Sequence, residues 1–312
     1  MRIKIIKTVL LYLICLGAVI SCAEHPVDTE EIVSDKEDSV KVIFKVNFEN
    51  REPGPYTEAE WKKDWLYPDW ANHAEGYGQI IEHEYGNCLK LPIKKGSFLF
   101  DGSAYQWWTR FYNEYDELYF SYKIYFSDVF ANEDLRGKLP GLAGGNGKMS
   151  GGELPDGKTG WSARYMFHST GFRFYLYHPD NYHNGYYNDP QPVEGKKYYG
   201  QNVLFNDGIH YEHSRWMTIT QRIVLNTPGR KDGFVEGFID GRLQAREINL
   251  RFRDISSLAI DKIFFALFLG GSGDPPSRDG YILFDDFGAF QFLHEGEKKL
   301  TPIDETLKIP AF

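Results

Sequence analysis

Cysteine is nearly absent from this chain. Cys15, Cys22 and Cys88 are the only three in 312 residues, which excludes a disulfide-stapled scaffold. Positive charge is also in deficit, with 35 Lys+Arg against 44 Asp+Glu, so a basic nucleic-acid binder is excluded and no nucleic-acid partner is expected. With 42% hydrophobic and 25% charged residues, the chain is neither disordered nor collagen-like nor a multi-span membrane protein. Metal-ligand spacing is missing too. His178, His183, His210 and His213 form no His-Glu-x-x-His pattern, and Asp274, Asp279, Asp285 and Asp286 form no EF-type loop. No metal and no cofactor are therefore expected. A helical 3.6-residue period is not sustained over three turns anywhere.

What the chain does have is glycine (31), proline (15) and aromatics (23 Phe, 21 Tyr, 7 Trp), the composition of β-rich architectures that run to roughly 250 residues as one unit. Its N-terminus stands apart. Arg2, Lys4 and Lys7 precede an apolar run over 9–20 that ends in Val19-Ile20-Ser21-Cys22, too short to span a bilayer. Small residues directly before a cysteine resemble a bacterial lipoprotein signal, which implies removal of residues 1–21 and acylation of Cys22. Cys15 then leaves with the signal, Cys88 has no partner, and the formal charge moves from −9 to −12 as three cations are lost. Residues 22–39 are acidic and lack aromatics, which predicts a solvated tether between the lipid and a folded domain assigned to 40–295, with a tail at 296–312. A monomer, secreted across the inner membrane and anchored to a bacterial outer membrane, is the expectation.

Alternation predicts strands at 40–48, 88–92, 117–126, 161–168, 171–178, 216–225, 233–239, 262–269 and 281–291, with short helical turns at 57–64 and 254–258. Many strands at hairpin spacing predict an all-β fold, a jelly-roll β-sandwich of two antiparallel sheets. The period of two also assigns faces. Ser162, Arg164 and His168 share one face, opposite Tyr165 and Phe167; Arg173, Tyr175 and Tyr177 share another, opposite Phe172, Phe174 and Leu176. If Ser169-Thr170-Gly171 closes a hairpin, the two polar faces lie side by side.

That set has a chemical meaning. Cleaving a uronic-acid polymer by β-elimination needs a cation for the C6 carboxylate, a base for the C5 proton and an acid for the leaving O4, roles open to Arg, Lys, Tyr and His. Exposed Tyr and Arg also decorate ordinary strands, so the pattern alone leaves both readings open.

Three stretches carry a resemblance: Gly137-Lys138-Leu139-Pro140-Gly141-Leu142-Ala143-Gly144-Gly145, then Gly160-Trp161-Ser162-Ala163-Arg164, then Tyr175-Leu176-Tyr177-His178. Their order and spacing resemble polysaccharide lyase family 14, the alginate-lyase group with a relative among glucuronan lyases. Residues 219–229, Asp232-Gly233, Asp240-Gly241, 264–271 and Phe284-Asp285-Asp286-Phe287 are similar to the family's second half. The resemblance implies a jelly roll whose concave face binds an acidic polysaccharide, with Lys138 in a loop and Ser162, Arg164, Tyr175 and Tyr177 as the working residues. Side-chain chemistry then suggests the roles: Arg164, with its rigid and permanently charged fork, gripping a carboxylate, Tyr175 or Tyr177 transferring a proton with its phenol lowered by Lys138 and Arg164, Lys138 as proton carrier or neutralising charge, and Ser162 orienting one of these groups by hydrogen bond. Ser162 is not an acyl nucleophile, since no Gly-x-Ser-x-Gly surrounds it.

Four further residues are candidates for binding substrate. His168 is either a base or a structural strand-end histidine. Arg173 lies on the polar face. Gln221 interrupts the apolar face of Met217, Ile219 and Ile223, as a buried amide or a sugar contact. Lys197 sits in the Tyr-rich stretch 182–199, which either covers bound polymer or is an ordinary surface loop. The alternative function is a non-catalytic carbohydrate-binding lipoprotein on the same fold. A glycoside hydrolase would need paired carboxylates where these strands carry Arg, Tyr and Ser.

Overall fold

The computed structural model describes residues 31–35, 38–73, 76–131, 133–168, 171–180, 198–206, 212–271, 273–293, 308, 310 and 312. In chain order the strands are β1 (Glu31–Asp35), β2 (Asp38–Val46), β3 (Gly54–Pro55), β4 (Ala71–His73), β5 (Gln79–His83) and β6 (Gly86–Ile93). Then come β7 (Ala104–Tyr115), β8 (Glu117–Phe126), β9 (Gly137–Gly145), β10 (Gly160–His168), β11 (Gly171–Tyr177) and β12 (Gln201–Leu204). The last five are β13 (Trp216–Val224), β14 (Gly233–Ile239), β15 (Arg242–Leu250), β16 (Ile260–Leu269) and β17 (Gly280–Leu293). An α-helix, α1 (Glu58–Asp64), precedes β4, and a 3-10 turn spans Asp128–Ala131. Thr57 caps α1, its side chain accepting from the Glu60 N–H while the Glu60 carboxylate accepts from the Thr57 N–H.

Two antiparallel sheets form a jelly-roll-like sandwich. One has ten strands along β15-β14-β13-β8-β17-β6-β5-β3, with β2 pairing β17 and β1 pairing β2; the other has seven, in the order β12-β11-β10-β9-β16-β7-β4. Their inner faces share one aromatic-rich core in which Trp107 stacks on Phe265 at 3.7 Å and Trp65 meets Phe287 at 4.9 Å. Burying each such ring contributes about 1.5–3 kcal/mol.

The face assignment from alternation agrees with the packing. Trp161, Ala163, Tyr165 and Phe167 of β10 and Phe172, Phe174 and Leu176 of β11 enter the core. Ser162, Arg164, Arg173, Tyr175 and Tyr177 turn to the outer face of the seven-stranded sheet.

Several expectations are corrected. Strands β3, β4, β5, β7, β12 and β15 were not anticipated. In β7, Trp107 enters the core and Trp108 the outer face, so adjacent large aromatics erase the alternation. Lys138 lies on β9, a strand, rather than in a loop. The Gly/Pro content of β9 reads as a turn but serves close packing: a Cβ on Gly141 would lie 2.1 Å from the Ala163 carbonyl oxygen. Pro140 is the extra residue of a bulge, because Gly141 pairs with Arg164 while Leu139 pairs with Tyr165. Residues 254–258 form a bend and turn rather than helix. Ordered backbone also begins before Val40, since β1 within the expected tether forms a hairpin with β2. At the other end, Phe312 of the expected tail packs on Phe290 at 5.3 Å and accepts a hydrogen bond at its carbonyl from Asn47 Nδ2 at 2.9 Å.

Candidate active site

Strand register brings the site together in three transverse rows on the outer face. The first runs Arg173, Met166, Lys138, Phe268 across β11, β10, β9 and β16. The second runs Tyr175, Arg164, Gly141, Phe264, and the third Tyr177, Ser162, Ala143, Lys262, across the same strands. All five residues implied by the resemblance therefore fall within these three consecutive rows, although Lys138 reaches its place only through the β9 bulge.

Arg164 is 3% exposed. Its guanidinium carbon lies 4.5 Å from the Phe264 ring centroid and 6.0 Å from that of Tyr177, and its Nε has no hydrogen-bond partner. Burial draws its pKa down while the Tyr177 and Tyr175 phenols act the other way, and no carboxylate contributes. Lys138 Nζ sits 2.7 Å from Met166 Sδ and 3.2 Å from the Tyr175 ring centroid. Burial, then the charges of Arg164 and Arg173, hold its ammonium well below the ordinary lysine range. Arg173 is 7% exposed. The face thus holds Lys138, Arg164 and Arg173 close enough to repel, and no described acid neutralises Lys138 or Arg164.

The two tyrosines meet edge to face at 5.5 Å. The expected lowering of a phenol is contradicted for Tyr175: burial and its hydrogen-bonded neighbour Tyr177 push it up, which outweighs the pull of Arg164. Tyr175 therefore keeps its proton at neutral pH. Tyr177 Oη accepts from the Gly152 N–H at 3.1 Å, and the Ser162 hydroxyl donates to the Met149 carbonyl at 2.6 Å. Both residues fasten the segment after β9 onto the sheet, so Ser162 holds backbone rather than a proton-transfer side chain.

The remaining candidates divide. His168 shares the outer face at the end of β10, beyond Met166, where burial and then Arg173 and Arg136 bring it down to about 4. Gln221 is not on this face at all. It belongs to β13 of the opposite sheet, is fully buried, accepts from the Leu142 N–H at 2.8 Å and donates to the Ala163 carbonyl at 2.7 Å. Its amide satisfies the backbone beside the β9 bulge, and the sugar-contact reading is withdrawn. Lys197 and Cys22 lie outside the described residues. Met166, Phe264 and Met149 were missed. Met166 alternates with Arg164 and was legible in principle; Phe264 and Met149 depend on long-range pairing. No group of three metal-binding side chains occurs among the described residues.

The family model for polysaccharide lyase 14 matches residues 82–287. Among solved structures, a marine alginate lyase from Aplysia kurodai is 23% identical with a TM-score of 0.61, over 80% of this chain and 98% of its own. The alginate lyase Aly36B is 20% identical with a TM-score of 0.62, over 79% and 95%. An alginate lyase from Chlorella virus is 19% identical with a TM-score of 0.55, over 72% and 91%. At these identities the likeness is one of fold. No curated protein matches the sequence.

Proposed function

Since the chain belongs to polysaccharide lyase family 14, we propose that it cleaves a uronic-acid polymer of the alginate or glucuronan type by β-elimination. The observation that carries this reading is Arg164, a guanidinium only 3% exposed with no described acid against it, on the same face as Arg173 and Lys138. Burying cations without acids costs several kcal/mol per ion, and a polymer bearing a carboxylate on every sugar supplies the missing countercharge.

Roles follow from protonation. Arg164, permanently charged and fork-shaped, holds the C6 carboxylate and stabilises the enolate-like charge that develops when C5 loses its proton. Lys138, held toward its neutral amine, accepts the C5 proton. Tyr175, which retains its proton, donates it to O4 as the C4–O4 bond breaks and the C4–C5 double bond forms. The proton gained by Lys138 returns to the Tyr175 phenolate, whose ring lies directly beneath the amine. Tyr177 and Ser162 keep the segment between β9 and β10 in place.

Incubation with a panel of uronans, followed by the absorbance of the unsaturated product, tests the proposal. Saturated products would turn the reading to hydrolysis, and binding without products would turn it to a carbohydrate-binding protein. We also propose lipid anchoring through Cys22, on the strength of the cationic start, apolar run and Ser21-Cys22 junction. Cys22→Ala should then remove the protein from the membrane fraction; equal soluble recovery of wild type and variant overturns the anchor.

A further inference from the structure

The reacting centre is one end of a longer line. The row Tyr175, Arg164, Gly141, Phe264 continues onto β7 at Trp108, which pairs with Phe264. Trp70, immediately before β4, stacks on Trp108 at 4.8 Å and 30°. Phe264 joins the two ends: Arg164 lies 4.5 Å from its ring, while Trp70 and Trp108 meet it edge-on at 5.9 and 6.1 Å. Arg164 and Trp108 are three strands apart, about 14 Å at ~4.8 Å per strand, farther than a single sugar ring extends.

The charge changes along this line. Arg110 and Lys262 flank Trp108 at 5.5 and 5.3 Å, but each already has an acid, Asp69 at 2.6 Å and Asp261 at 2.8 Å. Countercharge is wanted at Arg164 and not at Trp108. What the distal end offers is indole surface, because Trp70 and Trp108 are only half-buried whereas Phe264 is 2% exposed. Resting on the polyuronate reading above, we propose that Trp70 and Trp108 form a distal subsite that stacks on the ring face of a sugar remote from the cleaved bond. The occupant is the same polyuronate chain, because the row is continuous with the reacting centre. The subsite makes the enzyme prefer long chains to short ones.

Trp70→Ala tests this, with Trp70→Tyr as the ring-preserving partner and a thermal melt of each as a folding control. Initial rates are measured on trisaccharides and on long oligomers of mannuronate, guluronate and glucuronate. The expected result is a roughly tenfold fall in kcat/KM for long oligomers in Trp70→Ala, the size of one lost aromatic contact, with the trisaccharide rate unchanged and Trp70→Tyr largely restored. Equal losses on both lengths, or none on either, in a wild type that cleaves uronans would overturn the subsite and leave the lyase reading intact. If the wild type cleaves none of them, the lyase reading fails, and titration of tryptophan fluorescence with the same long oligomers decides the subsite: weaker binding by Trp70→Ala supports it, and equal or absent binding overturns it.

Discussion

Replacing Arg164 by methionine removes a charge that is 3% exposed and has no carboxylate among the described residues. Burial of an unpaired ion costs several kcal/mol after relaxation. The rings of Phe264 and Tyr177 return about 0.5–2 kcal/mol each, the second less because it stands 6.0 Å away. The balance leaves Arg164 a net burden of about 1–3 kcal/mol on the empty protein. Methionine keeps the length and the contact with Phe264 without the charge. Arg164→Met is therefore expected to raise the melting temperature, by about 2–4 °C per kcal/mol for a chain of this size, while kcat/KM on a uronan falls by about 2–4 kcal/mol, some thirtyfold to a thousandfold. Near-UV circular dichroism melts and initial rates at fixed salt measure both. A variant that melts lower and keeps its rate would refute the reasoning, since it would mean the guanidinium is compensated inside the protein and is not waiting for substrate.

Four other outcomes are expected. Lys138→Met should lower turnover by about a hundredfold or more while still binding polymer; in the wild type, kcat/KM should rise with pH below the usual lysine range as the amine loses its proton, and stability should rise with pH up to that range because the unfolded chain holds the lysine proton longer. Tyr175→Phe should cost turnover on a similar scale, whereas Tyr177→Phe, which frees Gly152, should weaken binding more than turnover; full rates in both would take tyrosine out of the mechanism. Gln221→Leu should destabilise by about 2–4 kcal/mol, as the Leu142 N–H and Ala163 carbonyl lose their partners, and an unchanged melt with a raised KM would reinstate the sugar contact. Asp285, pushed up to about 7 by burial and then by Asp286, holds its proton in the folded state above the unfolded carboxylate range, so stability should fall as pH rises from about 4 to 7, and Asp285→Asn should flatten that slope in denaturant titrations.

Period-two patterning was enough to put Arg164 with Ser162 on one face and Arg173, Tyr175 and Tyr177 on another, because a strand with one face in the core must alternate and the pattern is local. The cap of α1 was legible for the same reason: Thr57 and Glu60 complete it within four residues. The motif series also named Lys138 as a partner of that face. What the sequence could not supply was everything set by pairing across distance. Lys138 joins the site only because β9 runs between β10 and β16 with Pro140 bulged out, an irregularity that Gly-rich sequence mimics as a turn. Gln221 reads identically as a buried amide or a sugar contact until the opposite sheet presents the Leu142 and Ala163 backbone to it. Trp108 and Phe264 are far apart in sequence and face each other only through β7 and β16. Protonation belongs to the same class: Tyr175 rises and Lys138 falls because burial, a property of the assembled sheets, outweighs the charges that the sequence alone brings to mind.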